Sequence, residues 1–100
     1  MHRAEKIVRV EIGGRVQGVG FRAFVLQHAE TRAGLRGWVR NRRNGDVEAV
    51  FAGSADDVAA LCDLCRKGPS YARVERFEVF EADEKTMAGL GDGFHQLATV

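Results

Sequence analysis

Residues 7–22 read IVRVEIGGRVQGVGFR, and the hydrophobic period changes within this stretch. Over Ile7–Gly13, apolar and charged residues alternate, which is the period of a half-buried strand. From Phe21 the apolar positions take the spacing of one helix face, and this pattern continues until Gly34. The glycine-rich segment between the two patterns therefore joins a strand directly to the start of a helix.

The rest of the chain continues with short predicted segments. They are strands over Leu35–Asn41 and Asp46–Phe51, a helix between Ser54 and Gly68, a strand over Val74–Phe80, a loop over Glu81–Gly93 and a last short strand over Phe94–Ala98. Asn44 and Gly45 supply the positive φ angles of a hairpin turn between the first two of these strands. Ser54 is the N-cap of the second helix, with Asp57 as its partner in a capping-box-like pair. Charged residues in Val74–Phe80 indicate a bulge or an edge position.

This order of elements predicts an α+β fold of the ferredoxin-like, split βαβ type. Two helices would cover one face of a mainly antiparallel sheet. The length of 100 residues is that of one domain, so we expect a single domain over residues 1–100. The fold hosts many unrelated functions, and the function must be argued from a site.

Composition excludes several classes of protein. The net charge of +1 gives no bulk attraction to nucleic acid or to an anionic membrane, and no apolar run could span a bilayer. Cys62 and Cys65 share the apolar stripe of the second predicted helix, which favours buried structural thiols over a redox pair or a zinc site. We expect a cytoplasmic monomer that needs no metal or other cofactor.

The segment from Gly14 to Arg22 has the features of a small anion site. Backbone N–H groups at the start of a helix lack internal partners, and glycines such as Gly18 and Gly20 let successive N–H groups converge on an oxyanion. Arg22 adds a guanidinium that suits two phosphate oxygens. A glycine-rich turn with a solvated arginine is the alternative interpretation, and the segment lacks the fingerprint of a P-loop or of a Rossmann fold.

The same segment resembles the signature of the acylphosphatase family, Gly-x-Val-Gln-Gly-Val-x-Phe-Arg. A second family signature is matched in the hairpin region, at Gly37, Trp38, Val39, Arg40, Asn41, Gly45, Val47 and Gly53. A weaker similarity covers Cys65–Pro69 and Ala72–Val74. Together these similarities extend over most of residues 7–80.

The resemblance implies hydrolysis of a small acyl phosphate to a carboxylate and inorganic phosphate, without a metal or a covalent intermediate. It implies that Arg22 holds the phosphate together with the backbone amides of Arg15, Val16, Gln17, Gly18, Val19 and Gly20. It also implies that Asn41 orients the attacking water, whereas Asn41 taken alone is a common residue at a strand end. Inorganic phosphate is then both the product and a competing ligand.

The sequence pattern is also compatible with other functions. An RNA-binding module of the RRM type, or a small-ligand regulatory domain, has the same order of elements. Trp38 could be a stacking platform or could pack on the second sheet face, and the arginines at 36, 40, 42 and 43 could steer anions or form a solvated hairpin tip. We assign His2, His28 and His95 no catalytic role.

Overall fold

The computed structural model describes residues 5–100. The five strands are β1 (Lys6–Arg15), β2 (Arg36–Asn41), β3 (Val47–Gly53), β4 (Arg73–Glu81) and β5 (Phe94–Gln96). The helices are α1 (Phe21–Glu30), α2 (Ala55–Lys67) and a 3₁₀ helix over Glu84–Met87. Each predicted strand and helix is present, with ends that differ by up to four residues from the predicted ones.

The strands form one sheet in the order β4-β1-β3-β2-β5. Three of the pairings are antiparallel, and β5 runs parallel to β2. The predicted α+β, ferredoxin-like class is confirmed, and β4 is an edge strand with a register shift against β1 at Gly13 and Gly14. Both features that the charged residues of this strand indicated are therefore present.

The main core lies between the sheet and the helices α1 and α2. Apolar residues of β1 and β3 that alternate along the strands pack there against the helices, with Phe21, Phe51 and Leu61 among the largest fully buried side chains. Cys62 and Cys65 are buried in the same core, as their helical spacing predicts. Ser54 Oγ accepts a hydrogen bond from the Asp57 N–H at 3.1 Å, so the predicted N-cap of α2 is confirmed.

Two predicted features before α2 differ in the structure. Helix α1 ends at Glu30 instead of continuing to Gly34, because Thr31 caps it with hydrogen bonds to the carbonyls of the last turn. Of the two turn residues of the β2–β3 hairpin, Gly45 alone has a positive φ, while Asn44 Oδ1 accepts from the Asp46 N–H at 2.9 Å. The hairpin is thus closed by one glycine and a side-chain hydrogen bond.

The C-terminal segment also departs from the prediction. Residues 84–87, predicted as loop, form the 3₁₀ helix, and β5 ends at Gln96 instead of Ala98. Met87 from the 3₁₀ helix packs with Trp38, Val50 and Ala52 in a second, smaller core on the opposite sheet face. Burial of Met87 against Trp38 favours a turn of helix in a segment whose polar composition alone predicted loop.

Candidate active site

A cavity of about 150 Å³ lies where α1 begins. Its walls come from the β1–α1 loop, the first turn of α1, the end of β2 and the end of β5. The lining residues are Val16, Gly18, Gly20, Phe21, Arg22, Ala23, Asn41 and Gln96. One cation and no carboxylate are among these described residues, so the cavity is electrostatically suited to an anion.

The loop backbone supplies hydrogen-bond donors at this cavity. Gly20 caps α1 with φ 82° and ψ 19°, the left-handed region that glycine adopts without steric cost. Its carbonyl accepts the first helical hydrogen bond, from the Phe24 N–H at 3.0 Å. The N–H groups of residues 21–23 therefore precede the first helical hydrogen bond and are left for a ligand or for water. Gly18 also has a positive φ, 74°, so the chain curls twice before the helix starts.

Arg22 and Asn41 reach the cavity from two different elements. Arg22 is in the first turn of α1 and is half-buried. In β2 the side chain of Val39 enters the core under the helices, and Asn41, two residues later, lies on the same face. Neither side chain forms a hydrogen bond or an ion pair with another residue in the range 5–100, so both are available to a bound molecule.

Gln96 also lines the cavity, a position that no pattern in the sequence predicted. It pairs with Val39 in the parallel β2–β5 ladder, and Phe94, two residues earlier, stacks on Phe51 in the main core with ring centroids 5.7 Å apart. Gln96 therefore shares the helix-covered face with Asn41. The sequence showed only that Gln96 is a polar residue in a predicted strand. The pairing of β5 with β2 is what brings it to the cavity.

The predicted loop residues divide into two groups. Val16, Gly18 and Gly20 line the cavity, whereas Arg15, Gln17 and Val19 do not. The Val16 N–H donates to the Gly14 carbonyl at 3.1 Å, so Val16 contributes wall surface rather than a free amide. Two of the three side chains in the second group contact other parts of the protein. Val19 packs on the main core, and Gln17 Nε2 donates to backbone carbonyls of the β2–β3 hairpin.

The arginines of the hairpin region are mostly paired with carboxylates. Arg36 binds Glu5 and Glu84, at 2.6 and 2.7 Å. Arg40 and Arg42 bind Glu48, which is 3% exposed, at 2.8 and 3.1 Å. None of these arginines lines the cavity, and their pairing leaves little free charge for steering an anion.

Trp38 is buried on the second sheet face and is no stacking platform. It is 5% exposed, its Nε1 donates to the Thr86 carbonyl at 2.7 Å, and the Arg40 guanidinium lies 4.5 Å from its ring centroid. Strand β3 is buried along its whole length, so it presents no aromatic ring for a nucleic-acid base. These positions do not favour the RRM reading.

The titratable residues set aside from the site lie elsewhere. His28 packs edge-on against Phe24, the His95 ring is 3.0 Å from the Gly91 carbonyl, and His2 is outside the described residues. Burial raises the pKa of the Cys65 thiol, as expected for an unreactive core cysteine. Within residues 5–100, no group of three or more His, Cys, Asp and Glu is placed to hold a metal ion, and neither helix could cross a membrane.

Proteins of known family resemble this chain over nearly its whole length. The family model described as Acylphosphatase matches residues 8–95. The chain belongs to the acylphosphatase family. A curated acylphosphatase of Bradyrhizobium diazoefficiens is 50% identical over 96 residues, which cover 94% of this chain and 96% of that protein. The two motifs that resemble the family signatures lie within the matched region, and they contribute most of the cavity wall.

Solved acylphosphatases share this arrangement of strands and helices. The acylphosphatase of Bacillus subtilis superposes with a TM-score of 0.80 at 32% identity, over 94% of this chain and 99% of that chain. The acylphosphatase of Coxiella burnetii gives a TM-score of 0.79 at 34% identity, over 93% of both chains. Acylphosphatase structure therefore extends over nearly the whole described chain.

Proposed function

We propose that this chain hydrolyses the carboxyl–phosphate bond of small acyl phosphates, giving a carboxylate and inorganic phosphate. The observation that carries the proposal is that the side chains of Arg22 and Asn41, which form no hydrogen bond or ion pair among residues 5–100, line one cavity at the glycine-rich head of α1. The chain belongs to a family with this activity in its name, and the chemistry of the cavity fits it.

The phosphate group is bound by charge and by backbone donors. Amides of the Arg15 to Gly20 loop, apart from the Val16 amide that donates to the Gly14 carbonyl, and amides of the first turn of α1 surround its oxygens, and Arg22 donates from two nitrogens. Such donors stabilise the negative charge on the three equatorial oxygens during in-line phosphoryl transfer. Because the loop is already folded around glycines at positions 18 and 20, little reorganisation is required on binding.

Asn41 orients the attacking water. Its amide oxygen accepts a hydrogen bond from the water, while the water oxygen attacks phosphorus and the bond from phosphorus to the acyl oxygen breaks. The bonding electron pair leaves with the carboxylate, and the two protons of the water stay on the phosphate product or pass to solvent. A carboxylate with a pKa of about 4 leaves unprotonated at neutral pH, so the reaction requires no strong acid in the cavity.

Phosphate release from benzoyl phosphate tests the proposal directly. We expect Arg22→Ala to reduce kcat/KM by about a thousandfold or more, because it removes the only cation of the described cavity wall. Asn41→Ala should lower kcat about a hundredfold and change the inhibition constant of inorganic phosphate by less than about threefold.

Two control variants separate the site from general effects of charge and polarity. Arg66→Ala removes an exposed arginine of α2, and Gln27→Ala removes an exposed side-chain amide of α1 outside the cavity. Both should keep turnover within about twofold of the parent chain. Full activity of Arg22→Ala, or an unchanged kcat for Asn41→Ala, would contradict the assigned roles.

The proposal also covers competition by inorganic phosphate, the monomeric state and the cytoplasmic location. Inorganic phosphate competes with the substrate for the loop and Arg22, so its inhibition should be competitive. A monomer in the cytoplasm, independent of nucleic acid and of membranes, is the state that we propose for the active protein. Sedimentation of the purified chain at assay concentration measures whether it is a monomer.

A further inference from the structure

The side chain of Gln17 connects the phosphate loop to the β2–β3 hairpin. Its Nε2 donates two hydrogen bonds, to the Arg42 carbonyl at 2.6 Å and to the Asp46 carbonyl at 2.8 Å. A primary amide is suited to this position because one nitrogen carries two donors. Gln17 itself does not line the cavity, so this side chain binds the protein rather than a ligand.

The two carbonyls belong to the two ends of the hairpin turn. The Arg42 N–H donates to the Asp46 carbonyl at 2.8 Å, which closes the turn. Asn41 directly precedes Arg42, and its own carbonyl accepts from the Val100 N–H at 3.2 Å. Gln17 therefore fixes the turn one residue away from Asn41, the residue that we propose orients the attacking water.

No other hydrogen bond within residues 5–100 makes this connection. The ladder between β1 and β3 ends at the pair Ile12 and Val47, before the loop and the hairpin begin. Past that pair, the described hydrogen bonds between residues 16–20 and residues 41–46 are the two from Gln17. The sheet places Asn41 opposite Val47 and Val47 opposite Ile12, and the two hydrogen bonds from Gln17 add the link from the loop itself to the turn beside Asn41.

We propose that Gln17 is a positioning residue, which holds Asn41 and its water in line with a phosphate bound by the loop. This inference rests on the proposed function, specifically on the role of Asn41. Phosphate binding itself uses loop amides and Arg22, which Gln17 does not contact through its side chain. Loss of the amide should therefore reduce turnover much more than it weakens phosphate binding.

Gln17→Met tests the proposal because it keeps the length of the side chain and removes both donors. We expect kcat for benzoyl phosphate to fall by about tenfold or more, with the inhibition constant of inorganic phosphate changed by less than about threefold. Gln27→Met is the matched control, since Gln27 is exposed on α1 outside the cavity, and it should leave both constants unchanged.

A double-mutant cycle with Asn41→Ala distinguishes positioning from a general structural role. If Gln17 acts through Asn41, Gln17→Met causes little further loss of kcat in the Asn41→Ala background. The proposal would be overturned if the loss of kcat in the double variant equalled the product of the two single losses. A rise in the phosphate inhibition constant as large as the loss of kcat would also overturn it. Activity of the parent chain and its loss in Arg22→Ala test the proposed function separately.

Gln17→Glu gives a second test that does not depend on the stability of the methionine variant. An ionised carboxylate facing two carbonyl oxygens is repelled, whereas a protonated carboxyl can donate one hydrogen bond to them. Burial beside the carbonyls should raise the pKa of the introduced carboxyl. The kcat of this variant, relative to the parent chain at the same pH, should therefore rise severalfold between pH 8 and pH 5. A ratio that is independent of pH would overturn the proposal.

Discussion

The head of α1 can be probed with a single methyl group at Gly20. This glycine has φ 82°, and a Cβ built there meets no heavy atom within 4 Å, so Gly20→Ala introduces backbone strain without a clash. An L-residue in the left-handed region costs about 1–2 kcal/mol. Loss of glycine's freedom in the unfolded chain offsets about 0.4–1 kcal/mol of this cost.

Gly34→Ala is a matched control for this substitution. Gly34 has φ 87°, a Cβ there also meets nothing within 4 Å, and the residue lies in the α1–β2 connection outside the cavity. The two variants should therefore lose the same stability, about 1 kcal/mol, which corresponds to a fall in Tm of about 4–8 °C for a domain of this size.

Activity should separate the two variants. Gly20 lines the cavity, so the new methyl group disturbs the loop where phosphate oxygens would bind, and we expect kcat/KM for benzoyl phosphate to fall by about tenfold or more. Gly34→Ala should keep kcat/KM within about twofold. Thermal unfolding by circular dichroism and initial rates of phosphate release measure the two effects. Equal activity of the two variants would show that the head of α1 is not the phosphate site.

Further predictions concern stability and the residues set aside from the site. Burial by itself raises the pKa of Glu48, but hydrogen bonds from Arg40 and Arg42 outweigh it, so the folded pKa lies below the ordinary value. The stabilisation by Glu48 is thus present above about pH 4.3 and is lost as pH falls through the folded pKa. In urea denaturation, Glu48→Gln should cost about 3 kcal/mol at pH 7, with a deficit that shrinks below about pH 4; a deficit that is constant with pH would contradict this account. Cys65→Ala should lower the free energy of unfolding by about 1–2 kcal/mol through the space that it leaves in the core, with kcat unchanged. EDTA should leave phosphate release unchanged, and loss of activity that a divalent ion restores would disprove the metal-free mechanism. Replacing all three histidines should leave kcat within about twofold, and a larger loss would mean that an acid or base has been overlooked.

The fold class and half of the site could be predicted from local patterns. Alternation in β1, helical spacing from Phe21, and the cap formed by Ser54 and Asp57 each depend on residues close together in the chain. The glycine-rich loop and Arg22 are likewise adjacent in sequence, so their common position at the head of α1 follows from the strand–loop–helix pattern alone. Asn41 was placed with them by its resemblance to a family signature.

Contacts between distant segments could not be predicted in this way. Gln96 enters the cavity because β5 pairs with Val39 of β2, and Met87 belongs to a helical turn because it packs on Trp38 on the second sheet face. The hydrogen bonds from Gln17 join positions 25 and 29 residues apart. A local hydrophobic period contains no information about such partners.

The sequence by itself therefore determined the strands and the two α-helices, and where an anion could bind. Tertiary structure alone decided that Gln96 shares the cavity with Arg22, and that Gln17 turns away from it. The physical reason is that strand and helix periods arise from the burial of nearby apolar residues, whereas the site is assembled by the register of strands that meet only after the chain has folded.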